Sequence, residues 1–180
     1  MNAPLPVRRI ITGHAGSKAV FTDDQSIEPV TLALMPGLEN YELWSTDPER
    51  VLPDQVGQPT VPSYFPGPDG SVLRIVTFPP DGTTIQSEGF DFGAALEEAA
   101  EKMPGAIEHF EPDNPGMHTT DSVDYAICLA GELVLELDDG AERTVTPGTV
   151  VVQRGTRHAW RNRTSEPAMM AFVLLSATRE

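Results

Sequence analysis

The chain has 180 residues, 39% of them hydrophobic and 22% charged, with 12 Lys and Arg against 27 Asp and Glu and a formal net charge of −15. That length suits one domain, and so negative a charge excludes nucleic acid and anionic membrane surfaces as expected partners. The longest apolar run, residues 168–175, is too short to span a bilayer, the N-terminus lacks an apolar signal core, and the single Cys128 cannot form an internal disulfide, so a reducing, cytoplasmic setting is expected.

Gly contributes 15 residues and Pro 17, punctuation that disfavours a helical bundle and favours short strands joined by tight turns. Residues 7–12, closed by Gly13, read as a first strand, followed by 19–22 and 29–35. Residues 47–70 carry six prolines and read as a long surface loop or arm. Residues 72–78 (VLRIVTF) form a β-branched strand. Residues 94–103 form the one clear helix, with Leu96, Ala99, Ala100 and Met103 on one face and Pro104-Gly105 as the stop.

From His118 onward the pattern tightens. Strands are expected at 124–129, 132–137, 149–153, 158–162 and 169–175, with turns at Ala130-Gly131, Asp138-Asp139-Gly140, Pro147-Gly148 and Arg154-Gly155. Short strands at regular spacing indicate an antiparallel sandwich or barrel.

Four histidines are present: His14, His109, His118 and His158. Strand parity puts His118, Thr120 and Asp124 on one face, continued by the small Ala126 and Cys128, while Tyr125, Ile127 and Leu129 take the other. The face bearing His118 therefore has room for a pocket. In the second stretch His158, Trp160 and Asn162 share a face, and Arg157, Arg161 and Arg163 the opposite one, where salt bridges or a dimer contact are expected. If both histidine faces look into one interior, two imidazoles and one carboxylate converge there. That is the donor set of mononuclear iron, manganese or related divalent sites, and it would leave zinc an open catalytic position. Barrel histidines hydrogen-bonded without metal are the alternative. Arg74, the only charge in VLRIVTF, is a candidate anchor for a substrate carboxylate if it points inward. Arg154, in the turn beside His158, is a candidate guide for an anionic substrate. His14 and His109 read as surface and loop histidines, and Cys128 as a small filler.

The segment HTTDSVDYAICLAGE resembles the first conserved motif of the cupin superfamily, which has His-x-His, a Glu four residues later and a Gly seven further on. His118 and Gly131 match; Thr120 stands where the second His belongs and Asp124 where the Glu belongs. Sixteen residues, 132–147, separate it from PGTVVVQRGTRHAWRN, which resembles the second motif through Gly148, Gly155, His158 and Asn162, with Gln153 replacing the usual Pro. The resemblance implies an all-β fold: a double-stranded β-helix (jelly-roll) barrel, usually homodimeric. Its core would span residues 116–180, with residues 1–115 as a strand-and-loop extension carrying the helix, both parts forming one domain. It implies a divalent metal (Fe, Mn, Ni or Zn) held by His118, Asp124 and His158. Asp is one methylene shorter than Glu, so it would reach the ion directly or through water. Thr120, Ala126, Cys128, Trp160, Asn162 and Arg74 would line the substrate pocket. The function so implied is a metal-dependent enzyme of oxygenase, decarboxylase or lyase type acting on a small organic molecule; the alternative is a metal-free small-molecule-binding protein.

Overall fold

The computed structural model describes residues 6–46, 48, 52, 57–58, 63–83 and 89–180. Among the described residues, eleven strands and one α-helix follow one another as β1 (Arg8–Ala15), β2 (Lys18–Ser26), β3 (Val30–Leu32), β4 (Met35–Thr46), β5 (Ser71–Phe78), α1 (Phe92–Lys102), β6 (Ser122–Ala130), β7 (Leu133–Glu136), β8 (Glu142–Val145), β9 (Val150–Arg154), β10 (Ala159–Arg161) and β11 (Ala168–Ser176). Six strands form one antiparallel sheet in the order β3-β4-β5-β11-β6-β9, three form a second in the order β10-β7-β8, and β1 and β2 pair as a separate hairpin. This is the expected all-β jelly roll. The strands β3, β4 and β5 from the N-terminal half are integral to the large sheet, so residues before 116 supply half of its strands rather than lying over a finished barrel.

The core between the two sheets follows from alternation. Along β6, Asp124, Ala126 and Cys128 are buried while Tyr125 and Leu129 face outward. Against them pack Leu133, Leu135 and Val145 from the small sheet and Met170 from β11. The turn from β6 to β7 demands glycine: Gly131 has φ +71°, and a Cβ there would sit 2.6 Å from the Pro167 carbonyl oxygen.

β4 is the largest departure from the sequence reading, which ended a strand at 35 and placed none over 36–46. Both faces of β4 are covered. Tyr41 and Leu43 pack with Val7 and Met169 under the hairpin side, while Leu38 reaches the interior cavity. A strand covered on both sides shows no period-two pattern, and a bulge between Glu42 and Trp44 shifts its phase. β8, ERTV, is a short edge strand with two exposed residues and was likewise missed. Half of the proline-rich 47–70 segment lies outside the described residues; its end, 63–70, does not, and brings Tyr64 and Phe65 over the cavity.

α1 starts two residues earlier than expected, where the Asp91 side chain accepts the Ala94 N–H at 3.0 Å and caps it. Its buried face is also rotated. Ala95, Ala99 and Met103 are buried, whereas Leu96 is 47% exposed. Small residues let the helix approach β3 closely, so Ala99, Met103 and Ala106 pack on Leu32. Lys102 Nζ donates to the Thr31 carbonyl at 3.1 Å and to Glu98 at 2.6 Å, pinning the C-terminal end. The helix thus covers one side of the barrel beside the cavity.

Candidate active site

His118 and His158 are brought together by main chain. Each N–H donates to the other's carbonyl at 2.9 Å, an isolated antiparallel bridge. Directly opposed residues in such a pair project side chains to the same side, and the two rings lie 4.2 Å apart between centroids at 49°. Each ring is fixed by the carbonyl two residues before it in the chain. Nδ1 of His118 bonds the Gly116 carbonyl at 3.0 Å, and Nδ1 of His158 bonds the Thr156 carbonyl at 2.9 Å. A carbonyl can only accept, so both Nδ1 atoms carry the proton and both Nε2 lone pairs are left for the cavity. Phe110 packs against His118 at 4.8 Å, and Trp160 meets His158 edge-on at 6.1 Å.

The cavity in front of the pair encloses about 180 Å³, below the roughly 300–1,000 Å³ usual for drug-sized ligands and so suited to a small organic molecule. Its polar lining is Arg74, Thr120, Asp124 and the two histidines. Phe78, Phe172, Val76 and Leu174 form an apolar wall, and Tyr64, Phe65 and Met103 roof it from the segment and helix outside the barrel motifs. None of these apolar residues was singled out from sequence. Phe172 and Leu174 share parity on β11, which was the one available signal.

Burial sets the protonation. It lowers the His118 pKa, and burial together with the neighbouring His118 lowers that of His158 to about 4. Burial raises Asp124. The folded His158 value lies below the free value near 6.5, so the unfolded chain takes up the proton first and stability is lost as pH falls from about 6.5 towards 4. For His158 alone this is on the order of 3 kcal/mol, and Asp124, shifted the opposite way, offsets part of it. Metal-stripped protein is expected to melt progressively lower from pH 6.5 to 4.5, with a shallower decline in His158→Gln; parallel declines would contradict this.

Asp124 faces the cavity but does not join the imidazoles. Among the described residues, no three His, Cys, Asp or Glu side chains lie together so as to hold one ion. The groups acting on Asp124 are Ser122 and Arg74, while those acting on His118 include His109 and Glu111. The shorter aspartate arm keeps its carboxylate near its own strand. As donors, the two neutral imidazoles fit a divalent ion; the carboxylate stands outside that pair. Thr120 is buried, and its hydroxyl accepts from Ser122 Oγ at 2.9 Å.

Three expected pocket residues lie elsewhere. Ala126 and Cys128 are small because the second sheet packs onto them, not because they border open space. Asn162 is buried as a loop clamp: Nδ2 donates to the carbonyls of Phe78 and Glu166, and Oδ1 accepts the N–H and hydroxyl of Thr164. Arg154 lines a separate surface groove with Asp121 and Arg179, away from the cavity. The outer-face arginines are paired with carboxylates, Arg157 with Glu111 and Asp138, Arg161 with Glu136 and Arg163 with Glu142. Arg161 also reaches Asn114 Oδ1 at 3.2 Å. Arg157 and Arg161 thereby strap the segment before His118 to the barrel. His14 is exposed in the hairpin. His109 stacks on Phe65 at 4.2 Å beside the roof.

Fold and site together define a jelly-roll barrel protein with an inward-facing histidine pair beneath an aromatic cavity. The cupin-domain family model matches residues 106–174. The chain is 32% identical over 178 residues to phomopsin biosynthesis cluster protein C' of Diaporthe leptostromiformis, covering 94% of this chain and 78% of that one. It is 30% identical over 113 residues to the cupin-domain-containing oxidoreductase fogC of Aspergillus ruber, covering 57% and 56%. Among solved structures it resembles an RmlC-like cupin with a double-stranded β-helix fold from Methanocaldococcus jannaschii, with TM-score 0.39, 13% identity, and 61% and 73% coverage. The chain belongs to the cupin family.

Proposed function

We propose that this chain is a cupin enzyme of small-molecule biosynthesis, acting on an organic molecule held in the cavity with its reacting atom at the His118–His158 pair. The observation that carries this reading is the pair of neutral imidazoles whose Nε2 atoms are free at the end of a largely apolar cavity. Relatives named as biosynthesis cluster proteins and as cupin-domain-containing oxidoreductases support it.

His118 and His158 are the residues that would hold a divalent metal, and imidazole donors suit iron, manganese, nickel and zinc alike. A bound ion would supply Lewis-acid polarisation of a substrate oxygen or, as iron, oxygen-dependent redox chemistry of the oxygenase type. The chain's own part is physical. The Gly116 and Thr156 carbonyls hold the Nδ1–H tautomers, Phe110 and Trp160 hold the ring planes, and the apolar walls exclude water. Asp124 and Thr120 face the same space and would hold water or a substrate proton there. A second reading, metal-free binding with acid–base work by histidine, is favoured by the carboxylate standing outside the imidazole pair. His158, neutral down to about pH 4, could accept a proton.

Metal analysis of tag-free protein separates the two. The first reading expects about one equivalent of divalent metal per chain, in line with a single site. Protein that purifies without metal, and gains no activity from added iron, manganese, nickel or zinc, would sink it in favour of the second.

A further inference from the structure

Arg74 lies in the middle of β5, opposite Glu42 on β4 and Phe172 on β11, and is 1% exposed. Its side chain borders the cavity. The Tyr64 ring covers the guanidinium at 3.7 Å, and Nη2 donates to the Tyr64 carbonyl. The other two nitrogens, Nε and Nη1, are buried with no hydrogen-bond partner, and Asp124 Oδ1, two strands away on the same sheet, is unpartnered as well. Among the described residues no carboxylate is close enough to form an ion pair with Arg74.

A guanidinium cannot shed its charge, so buried donors without acceptors are a standing cost. The fold does not need this cation, because Val72 and Val76, its same-face neighbours on β5, show that an aliphatic residue packs there. An acceptor supplied from the cavity would satisfy it. The route from Arg74 to the histidines is aromatic: its cross-strand neighbour Phe172 lies 5.8 Å from Trp160, and Trp160 lies 6.1 Å from His158.

We propose that Arg74 binds the carboxylate of the substrate, which is an organic monoacid with a flat apolar body lying along Phe172 and Trp160 towards the histidine pair. This rests on the reading of the cavity as the substrate site and names the substrate's chemical class. Among the described residues Arg74 is the only Lys or Arg lining the cavity, and Asp124 and Glu42 act on the same guanidinium. The two free donors of one guanidinium suit one carboxylate, and the acidic groups nearby repel a phosphate dianion more strongly than a monoanion.

The test compares 3-phenylpropionate with its neutral amide, titrated into metal-stripped protein by calorimetry. The acid is expected to bind about 10- to 100-fold more tightly than the amide, the range for a charge-assisted hydrogen bond. Arg74→Gln should bind the acid no better than the amide, while His158→Ala should keep the preference. Equal binding of acid and amide by wild type overturns the proposal and leaves the cavity as a neutral-ligand site. A preference kept in Arg74→Gln but lost in His158→Ala places the anion at the histidines and also overturns it. If neither probe binds at millimolar concentration, the small-molecule reading of the cavity falls with it. Should Arg74→Gln fail to fold, the wild-type comparison together with His158→Ala decides.

Discussion

Replacing His118 or His158 by alanine is expected to remove bound divalent metal and abolish turnover while leaving the barrel folded. Losing a partner that merely orients a metal-bound histidine costs about 10–100-fold in affinity or activity, and here each histidine is half of the imidazole pair, so a loss above about 100-fold is expected. The fold survives because the link between the two positions is main chain: N–H and carbonyl of residue 118 pair with carbonyl and N–H of residue 158, whatever the side chains. Metal content, circular dichroism and kcat/KM measured on the same preparations check this. Asp124→Asn is the informative companion, since the carboxylate stands outside the pair. It should retain metal that both alanine variants lose. Equal loss in all three would mean that the carboxylate swings onto the ion.

Asn162→Ala is expected to do the reverse, lowering stability without touching the chemistry. The buried Asn162 amide donates to Phe78 O at 3.0 Å and Glu166 O at 2.8 Å and accepts from the Thr164 N–H at 3.1 Å and its hydroxyl at 2.7 Å. The adjoining backbone N–H donates to Asp81 Oδ1 at 2.9 Å. The Phe78 and Asp81 bonds tie the loop after β10 to the end of β5 and the turn beyond it, and the Glu166 and Thr164 bonds close the loop on itself. Truncation leaves the Phe78 carbonyl and the Thr164 N–H without their partner, while Glu166 O keeps the Thr164 hydroxyl, at about 1–3 kcal/mol for each unsatisfied group and about 2–4 kcal/mol in all. For a chain of this size the melting temperature should fall by roughly 5–15 °C. Asn162→Asp, which sets a carboxylate oxygen against the Phe78 and Glu166 carbonyls in a buried site, should lose at least as much as the alanine variant. An alanine variant with wild-type melting but depressed turnover would return Asn162 to the pocket.

That residue shows where sequence reading stops. The spacing of His118, Gly131, Gly148, Gly155 and His158 was enough to identify the barrel, because turns that demand glycine and strands of period two leave marks in sequence. Parity put His118 and His158 on inward faces and Arg157, Arg161 and Arg163 outward. It could not say what an inward face meets. Asp124, Ala126 and Cys128 share one face of β6, yet Asp124 borders the cavity and the other two border the second sheet. The difference is position along the strand relative to a sheet far away in sequence. The roof was hidden for a related reason: Tyr64, Phe65 and Met103 come from a proline-rich segment and a helix with no counterpart in the motifs. β4 escaped because it is covered on both sides, and the helix face was mistaken because alanine, not leucine, sets the closest approach.

The carbonyls of Gly116 and Thr156 that fix the two imidazoles belong to the peptide backbone, so the tautomer at each histidine is written into the chain's path and not into any neighbouring side chain. In the proposed reading, the reactive end and the recognising end are therefore separable parts. Substitutions at Arg74, Phe172 or the roof can change which molecule is admitted while the imidazoles keep their aim, so one scaffold can be retuned from one ligand to another without rebuilding its centre.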